Sequence, residues 1–242
     1  SEIAKQIAAG EVVENPASVV KELVENSLDA GATLVEVSVQ QGGVKSIYVV
    51  DNGEGIAPDD LPLIFKRYAT SKIARLEDLK AITSLGFRGE ALPSIAAVSR
   101  ITLTSRRRGE QFGYRIRLEG GELVSNQEVG VPEGTAVLVE DLFYNTPARL
   151  KFLNSPPVET SRISSLLSEL SLAYPHTSFS LNSAGRNLFQ TAGDGSLQHV
   201  LGSIYGLECA RSLLPLNYEH EHGPVEISGF LSAPYYNRAS RR

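Results

Sequence analysis

The stretch from Val19 to Gly31 constrains the fold of this chain more than any other. Asn15 supplies a helix N-cap, Pro16 the first helical position and Gly31 a C-cap, so an amphipathic helix is expected between them. At about 100° per residue, Val19, Val20, Leu23 and Val24 form one apolar stripe, and Glu22 and Asn26 lie together on the polar edge beside it. A carboxylate and an amide at the rim of a core suit a general base next to a ligand for a hard cation such as Mg²⁺. The same spacing suits a solvated helix face on which Lys21 pairs with Glu25, and by position alone Glu25 and Asp29 are equally eligible acids.

The 242 residues, 42% of them hydrophobic, are enough for one large domain or two ordinary ones with a sizeable core. No run of about twenty apolar residues occurs, so nothing reads as a membrane span. Cys209 is the single cysteine, fits a buried small hydrophobe, and with the lack of a signal-like N-terminus points to a reducing, cytoplasmic compartment. A net charge of −5 argues against a nucleic-acid binder over the whole surface, although basic residues cluster at Arg106 to Arg108 and at Arg238, Arg241 and Arg242. The chain has no Met, from which a piece of a longer protein is expected, and Asn237 to Arg242 close no recognisable element, from which an end inside a domain is expected.

Val35, Val37 and Val39 alternate with polar residues as in a half-buried strand, Gly42-Gly43 reads as a tight hairpin turn, and Val44 to Val50 returns as a second strand into Asp51-Asn52-Gly53-Glu54-Gly55. A helix is expected after Pro58 up to about Tyr68, a short one around Leu76 to Ile82, and another after Gly86 to Leu92. Ile101 to Ser105, Tyr114 to Leu118, Glu122 to Ser125 and Thr135 to Glu140 read as strands, Val158 to Ala173 as a helix, and Thr177 to Leu181 with Asn187 to Thr191 as a pair about a turn at Ser183 to Gly185. Gly193-Asp194-Gly195 is the best boundary, followed by a helix from Leu197 to Tyr205 and a hairpin-like Val225 to Ala233. The pattern predicts a two-layer α+β sandwich with a mixed, largely antiparallel sheet.

Asp51 closes an apolar strand, where a carboxylate can accept from an exocyclic amine; the run also suits an ordinary loop rich in turn residues. The Gly86 to Gly89 turn before a helix offers free N–H groups to an anion and equally suits a plain helix N-terminus. Thr135 can reach a ligand by hydroxyl or backbone, although a β-branched residue belongs in a strand in any case, and Lys72 can offer a charge to phosphate or to solvent. There is no Gly-Lys pair for a P-loop, no dinucleotide fingerprint after a strand, and no metalloprotease spacing in His220-Glu221-His222.

In order and spacing, Glu22/Asn26, Asp51-x-Gly53-x-Gly55, Gly86 to Leu92 and Gly134-Thr135 resemble the four ATP-site motifs of the GHKL ATPases, the group of type II topoisomerases, the large heat-shock chaperone, sensor histidine kinases and MutL. Within it, Ile7 to Val13, Thr70 to Ile73, Gly86 to Leu92 and Leu142 to Arg149 resemble the MutL mismatch-repair family, its bacterial members most of all. The match is dense over about Ile3 to Phe152 and thinner beyond.

The resemblance implies a Bergerat-type two-layer sandwich over residues 1–194 and the start of a ribosomal-protein-S5-like domain over 195–242. It makes Glu22 the general base and Asn26 the Mg²⁺ ligand. Asp51 would bind the adenine amine, with Gly55 making room for the base and Thr135 supporting Asp51. Thr70, Ser71 and Lys72, with Leu85, Gly86, Phe87, Arg88 and Gly89, would form the ATP lid. The implied activity is slow, Mg²⁺-dependent ATP hydrolysis in which ATP binding drives a homodimer that signals to DNA, a MutS-type mismatch-recognition protein and a helicase or endonuclease. The family's phosphate-contacting lysine falls beyond Arg242, which leaves open a nucleotide-gated scaffold for DNA and proteins with negligible hydrolysis by this stretch.

Overall fold

The computed structural model describes residues 13–65, 90–219, 226–232, 223 and 234. The expectations for Thr70 to Lys72, Leu85 to Gly89, the short helix at 76–82 and the C-terminal arginines lie outside the described residues.

Helix α1, Pro16–Asp29, begins where Asn15 accepts a hydrogen bond from the Ser18 backbone N–H at 3.0 Å. It ends in a paired reverse turn: Gly31 N–H donates to the Leu28 carbonyl at 2.9 Å and Ala32 N–H to that of Ser27 at 3.0 Å. That turn needs a left-handed residue, and Gly31 has φ +70°. Strands β1 (Leu34–Gln40) and β2 (Ser46–Asp51) follow, then helix α2 (Ala91–Ala97) and strands β3 (Arg100–Arg106), β4 (Gly113–Glu119), β5 (Glu122–Val129) and β6 (Gly134–Glu140). Helices α3 (Pro147–Phe152) and α4 (Pro156–Ala173) lead to the hairpin β7 (Ser178–Ser183) and β8 (Arg186–Gln190). Helices α5 (Leu197–Tyr205) and α6 (Leu207–Ser212) precede a separate two-stranded sheet, β9 (Leu213–Glu219) against β10 (Glu226–Ser232).

The main sheet has eight strands in the order β5-β4-β3-β6-β2-β1-β7-β8. Every neighbour pair is antiparallel except β1 with β7, which run parallel with Val37 opposite Leu181. Alternation puts Val35, Val37, Val39, Ile47, Val49, Ile101, Leu103, Val137 and Val139 on one face, all buried. They pack with Val19, Val20, Leu23 and Val24 of α1, Ile95 of α2, and Ile163 and Leu167 of α4 in one core. The result is the mixed α+β sandwich expected from the pattern, with the helices α1, α2 and α4 contributing to that core.

Three local expectations change. Gly42-Gly43 is not a two-residue hairpin turn; Gln40 pairs with Ser46 and a five-residue loop with a 3₁₀ turn joins the strands. The glycines are needed because the loop lies under two helix starts: a Cβ on Gly42 would meet the Pro156 carbonyl oxygen at 2.7 Å, and one on Gly43 the Pro16 Cβ at 2.8 Å. Up to residue 65 the segment after Pro58 is a run of turns rather than a helix, with both Leu63 and Ile64 donating to the Asp60 carbonyl. The stretch expected to be hairpin-like supplies over 226–232 the single strand β10, whose partner is β9; Pro215 reads against a strand there but is tolerated opposite Phe230 in this two-stranded sheet.

Candidate functional site

Asp51 is the last residue of β2 and lies between Val35 of β1 and Thr135 of β6. Being on the inner face, in phase with Ile47 and Val49, its carboxylate turns towards α1 rather than to the open side of the sheet. Its Oδ2 receives the Ser27 hydroxyl at 2.8 Å, and its Oδ1 receives the backbone N–H groups of Gly53 at 2.9 Å and Thr135 at 3.2 Å. Ser27 also lies 3.1 Å from the Leu23 carbonyl, but its single proton is better placed on the charged carboxylate. A carboxylate offers about two acceptor positions per oxygen. Both on Oδ1 are therefore used, and one on Oδ2 remains. Burial pushes the Asp51 carboxyl above its ordinary 3.8, against the lowering effect of the Ser27, Gly53 and Thr135 hydrogen bonds. The strand end thus holds a half-buried carboxylate with one acceptor position left for an incoming donor.

The loop after Asp51 is fastened at both sides. Asn52 Oδ1 accepts from the backbone N–H groups of Thr33 and Leu34, each at 2.9 Å, while its amide donates to the Thr33 hydroxyl at 2.9 Å. Glu54 N–H donates to the Ala30 carbonyl at 3.0 Å, just past the end of α1. On the other side, Ile56 N–H donates to the Ser105 hydroxyl at 2.9 Å and Arg108 N–H to the Glu54 carbonyl at 2.9 Å. Gly55, with φ +72°, passes so close to Arg106 that a Cβ there would overlap its carbonyl group. The structure therefore shows a protein-packing demand at Gly55. Gly134, with φ +109°, makes a comparable approach to the Asp51 carbonyl and lets β6 start beside the carboxylate.

The Ser27–Asp51 hydrogen bond draws the last turns of α1 against this strand end. Asn26 precedes Ser27, and Glu22 lies one turn earlier on the same helix edge; both are half-buried. Glu25 is different: it is 9% exposed and pairs with Lys21 at 3.3 Å. The structure thus groups Asn26, Asp51, Gly55 and Thr135 around the strand ends with Glu22 a turn away, while the residues at 70–72 and 85–89 are not described. Among the described residues, no three His, Cys, Asp or Glu side chains converge as a metal cage. One half-buried amide oxygen fits Mg²⁺ only as a cation that brings phosphate and water oxygens as its other ligands, which is Mg²⁺'s usual habit. Of the arginine cluster, Arg106 is engaged by Glu133 and by the Glu110 carbonyl, and Arg107 and Arg108 are exposed. A space of about 1030 Å³ opens over the opposite sheet face, along Tyr48, Thr102, Thr104, Arg115 and Leu138, and is also lined by Asp51, Gly134 and Thr135 at the strand ends, although the Asp51 carboxylate itself is turned to Ser27 of α1.

Three residues of this arrangement were not singled out from the sequence: Ser27, Asn52 and Ser105. Two had a signal. Ser27 continues the apolar stripe Val20, Leu23, Val24, and Ser105 continues the inward series Ile101, Leu103; both are polar at core positions, 3% and 1% exposed. Asn52 carried no comparable mark, since Asn in a turn needs no partner to explain it.

Residues 14–137 match the family model described as histidine kinase-, DNA gyrase B- and HSP90-like ATPase. Over 98% of its length the chain is 51% identical to the DNA mismatch repair protein MutL of Desulforamulus reducens, and over 99% it is 48% identical to that of Limosilactobacillus reuteri. It spans 37% and 36% of those two relatives. Among solved structures, the Aquifex aeolicus MutL ATPase domain complexed with ADP superimposes with a TM-score of 0.76 at 34% identity, covering 93% of this chain and 80% of that one. By sequence and by fold, this chain belongs to the histidine kinase-, DNA gyrase B- and HSP90-like ATPases and, within them, to the MutL family.

Proposed function

We propose that this chain binds ATP with Mg²⁺ and hydrolyses it slowly, as the nucleotide-binding part of a mismatch-repair protein. The observation that carries the reading is Asp51: a buried-side carboxylate with three internal donors and one acceptor position left beside α1. The adenine amine is a donor of the right kind for it, and the ADP-bound state of the Aquifex aeolicus relative supports a purine nucleotide here.

In this reading Glu22 takes the proton of the attacking water, and Asn26 contributes one oxygen to the cation. The Mg²⁺, when bound, neutralises phosphate charge. Asp51 orients the base, Thr135 fixes Asp51 through its backbone N–H, and Gly55 keeps the loop narrow beside the base. Thr70, Ser71 and Lys72, with Leu85 to Gly89, close over the phosphates as a lid. Residues 1–194 make up the ATPase unit and 195–242 open an S5-like second domain.

ATP binding then favours a homodimer that signals to DNA, to a MutS-type mismatch-recognition protein and to a helicase or endonuclease, in the bacterial cytoplasm. The sequence identity to MutL proteins supports those partners. Calorimetric titration of the full-length protein with a non-hydrolysable ATP analogue, with and without Mg²⁺, tests the reading. Saturable binding that needs Mg²⁺ is expected; absence of binding under both conditions would overturn it.

A further inference from the structure

Ser105 is a hydroxyl on the inner face of β3, 1% exposed, with no place in the nucleotide reading so far. Its Oγ has three polar neighbours. Ile56 N–H, at 2.9 Å, can only donate; the Gly134 carbonyl, at 3.0 Å, can only accept; the Thr135 hydroxyl, at 3.0 Å, can do either. A serine hydroxyl has one proton and two lone pairs. All three contacts are satisfied in one arrangement only. The Ser105 proton goes to Gly134, and its lone pairs receive Ile56 N–H and the Thr135 O–H.

That arrangement commits the Thr135 proton to the protein interior. Thr135 sits opposite Asp51 in the sheet, with its side chain on the same face. Thr135 Oγ1 is then left, like Asp51 Oδ2, with lone pairs and no proton to offer. A strand end that presents only acceptors matches a ligand edge bearing an amine and opposes one bearing a carbonyl, because lone pairs would face lone pairs in a half-buried site.

We propose that Ser105 is a specificity-determining positioning residue, which holds the Thr135 hydroxyl as an acceptor and so favours 6-amino over 6-oxo purine nucleotides. The inference rests on the nucleotide reading above. It adds a residue that touches no ligand and acts through Thr135.

The test compares ADP with inosine diphosphate, which carries a carbonyl in place of the amine, by calorimetry on the full-length protein. Wild type should prefer ADP. In Ser105→Ala the Thr135 hydroxyl is free to turn, and the ADP to inosine diphosphate affinity ratio should fall about tenfold, the usual scale for one buried polar mismatch. Thr135→Val leaves Ser105 in place and should lower the ratio as well, so the idea remains testable even where Ser105→Ala folds poorly. The double variant should be no worse than the poorer single one, since the two hydroxyls act as one unit. An equal loss of both affinities in Ser105→Ala, with the ratio unchanged, would make Ser105 a packing residue and overturn the inference alone. A wild-type protein that binds neither nucleotide would overturn the nucleotide reading and this inference with it.

Discussion

The Ser27 hydroxyl lies 2.8 Å from Asp51 Oδ2, and this one bond couples the helix bearing Glu22 and Asn26 to the end of β2. It also decides which part of the carboxylate is available. With Oδ1 filled by the Gly53 and Thr135 N–H groups, an incoming donor meets Oδ2 next to Ser27.

Asp51→Asn follows from that geometry. Oδ1 must stay an acceptor for Gly53 and Thr135, so the amide nitrogen takes the Oδ2 position and presents protons both to Ser27 and to the ligand amine. Nucleotide affinity is expected to fall by about 2–3 kcal/mol, on the order of a hundredfold, as for loss of a hydrogen bond to a charged group. The fold should not suffer in parallel, because burial opposes the charge of Asp51 and the amide removes it. Calorimetric binding beside a thermal melt checks both halves; a large drop in melting temperature would show that Asp51 is chiefly structural.

Acidity should act on two aspartates with opposite sign. Burial raises Asp51, so just above its ordinary 3.8 the folded chain holds more protons than the unfolded one, and its contribution to stability falls as pH rises through that window. Nucleotide affinity runs the other way. If Asp51 receives the base as proposed, affinity needs the ionised carboxylate and is expected to be lost, as pH falls, earlier than an ordinary carboxylate would lose it. Asp141 is held low by the Lys45 ammonium hydrogen-bonded at 2.7 Å, and further by Arg100, so it stabilises above 3.8 and that gain disappears as pH falls through its lowered value. Melting and nucleotide titration across the acid range should therefore separate: Asp141→Asn flattens the acid loss of stability and leaves binding unchanged, while Asp51→Asn removes the binding transition.

How far this could be read in advance depends on the distance over which each fact is set. The α1 ends, the strand periods and the Asp51 to Gly55 run are local, and their residues carry the reasons on their faces. The register that places Thr135 opposite both Asp51 and Ser105 is set by strands 84 and 30 residues apart. The polarity of Ser27 and Ser105 at core positions signals a buried partner without saying which. Gly42 and Gly43 misled for a related reason. Glycine marks a tight place, but here the tightness comes from Pro156 and Pro16, brought in by the tertiary fold.

Glycine substitutions separate close approach from positive φ. Gly55→Ala would overlap the Arg106 carbonyl, whereas Gly109→Ala, at φ +84°, meets nothing within 4 Å. Gly109→Ala should cost only the left-handed strain of about 1 kcal/mol. Gly55→Ala adds backbone displacement and should cost roughly 3 kcal/mol or more, or about 8 °C in melting temperature for a domain of this size. Equal melting temperatures for the two variants would mean that the Gly55 loop can move off β3 at little cost.

The choice of base can be tested against its neighbours on the same helix. Glu25 is largely buried and pairs with Lys21, while Glu22 shares the α1 edge with Asn26, one turn before the residue that binds Asp51. In the full-length protein, Glu22→Ala should keep nucleotide affinity within a few-fold and lower turnover by about 10²–10⁴, the range for removing a general base. Asn26→Ala should instead weaken binding chiefly when Mg²⁺ is present. Glu25→Gln should leave turnover within about twofold, since an ion pair of this kind contributes little beyond a few tenths of a kcal/mol to the helix. Single-turnover hydrolysis with a parallel binding titration distinguishes the three. Normal turnover in Glu22→Ala with loss in Glu25→Gln would move the base to the buried edge of α1 and require Lys21 to release its partner during the reaction.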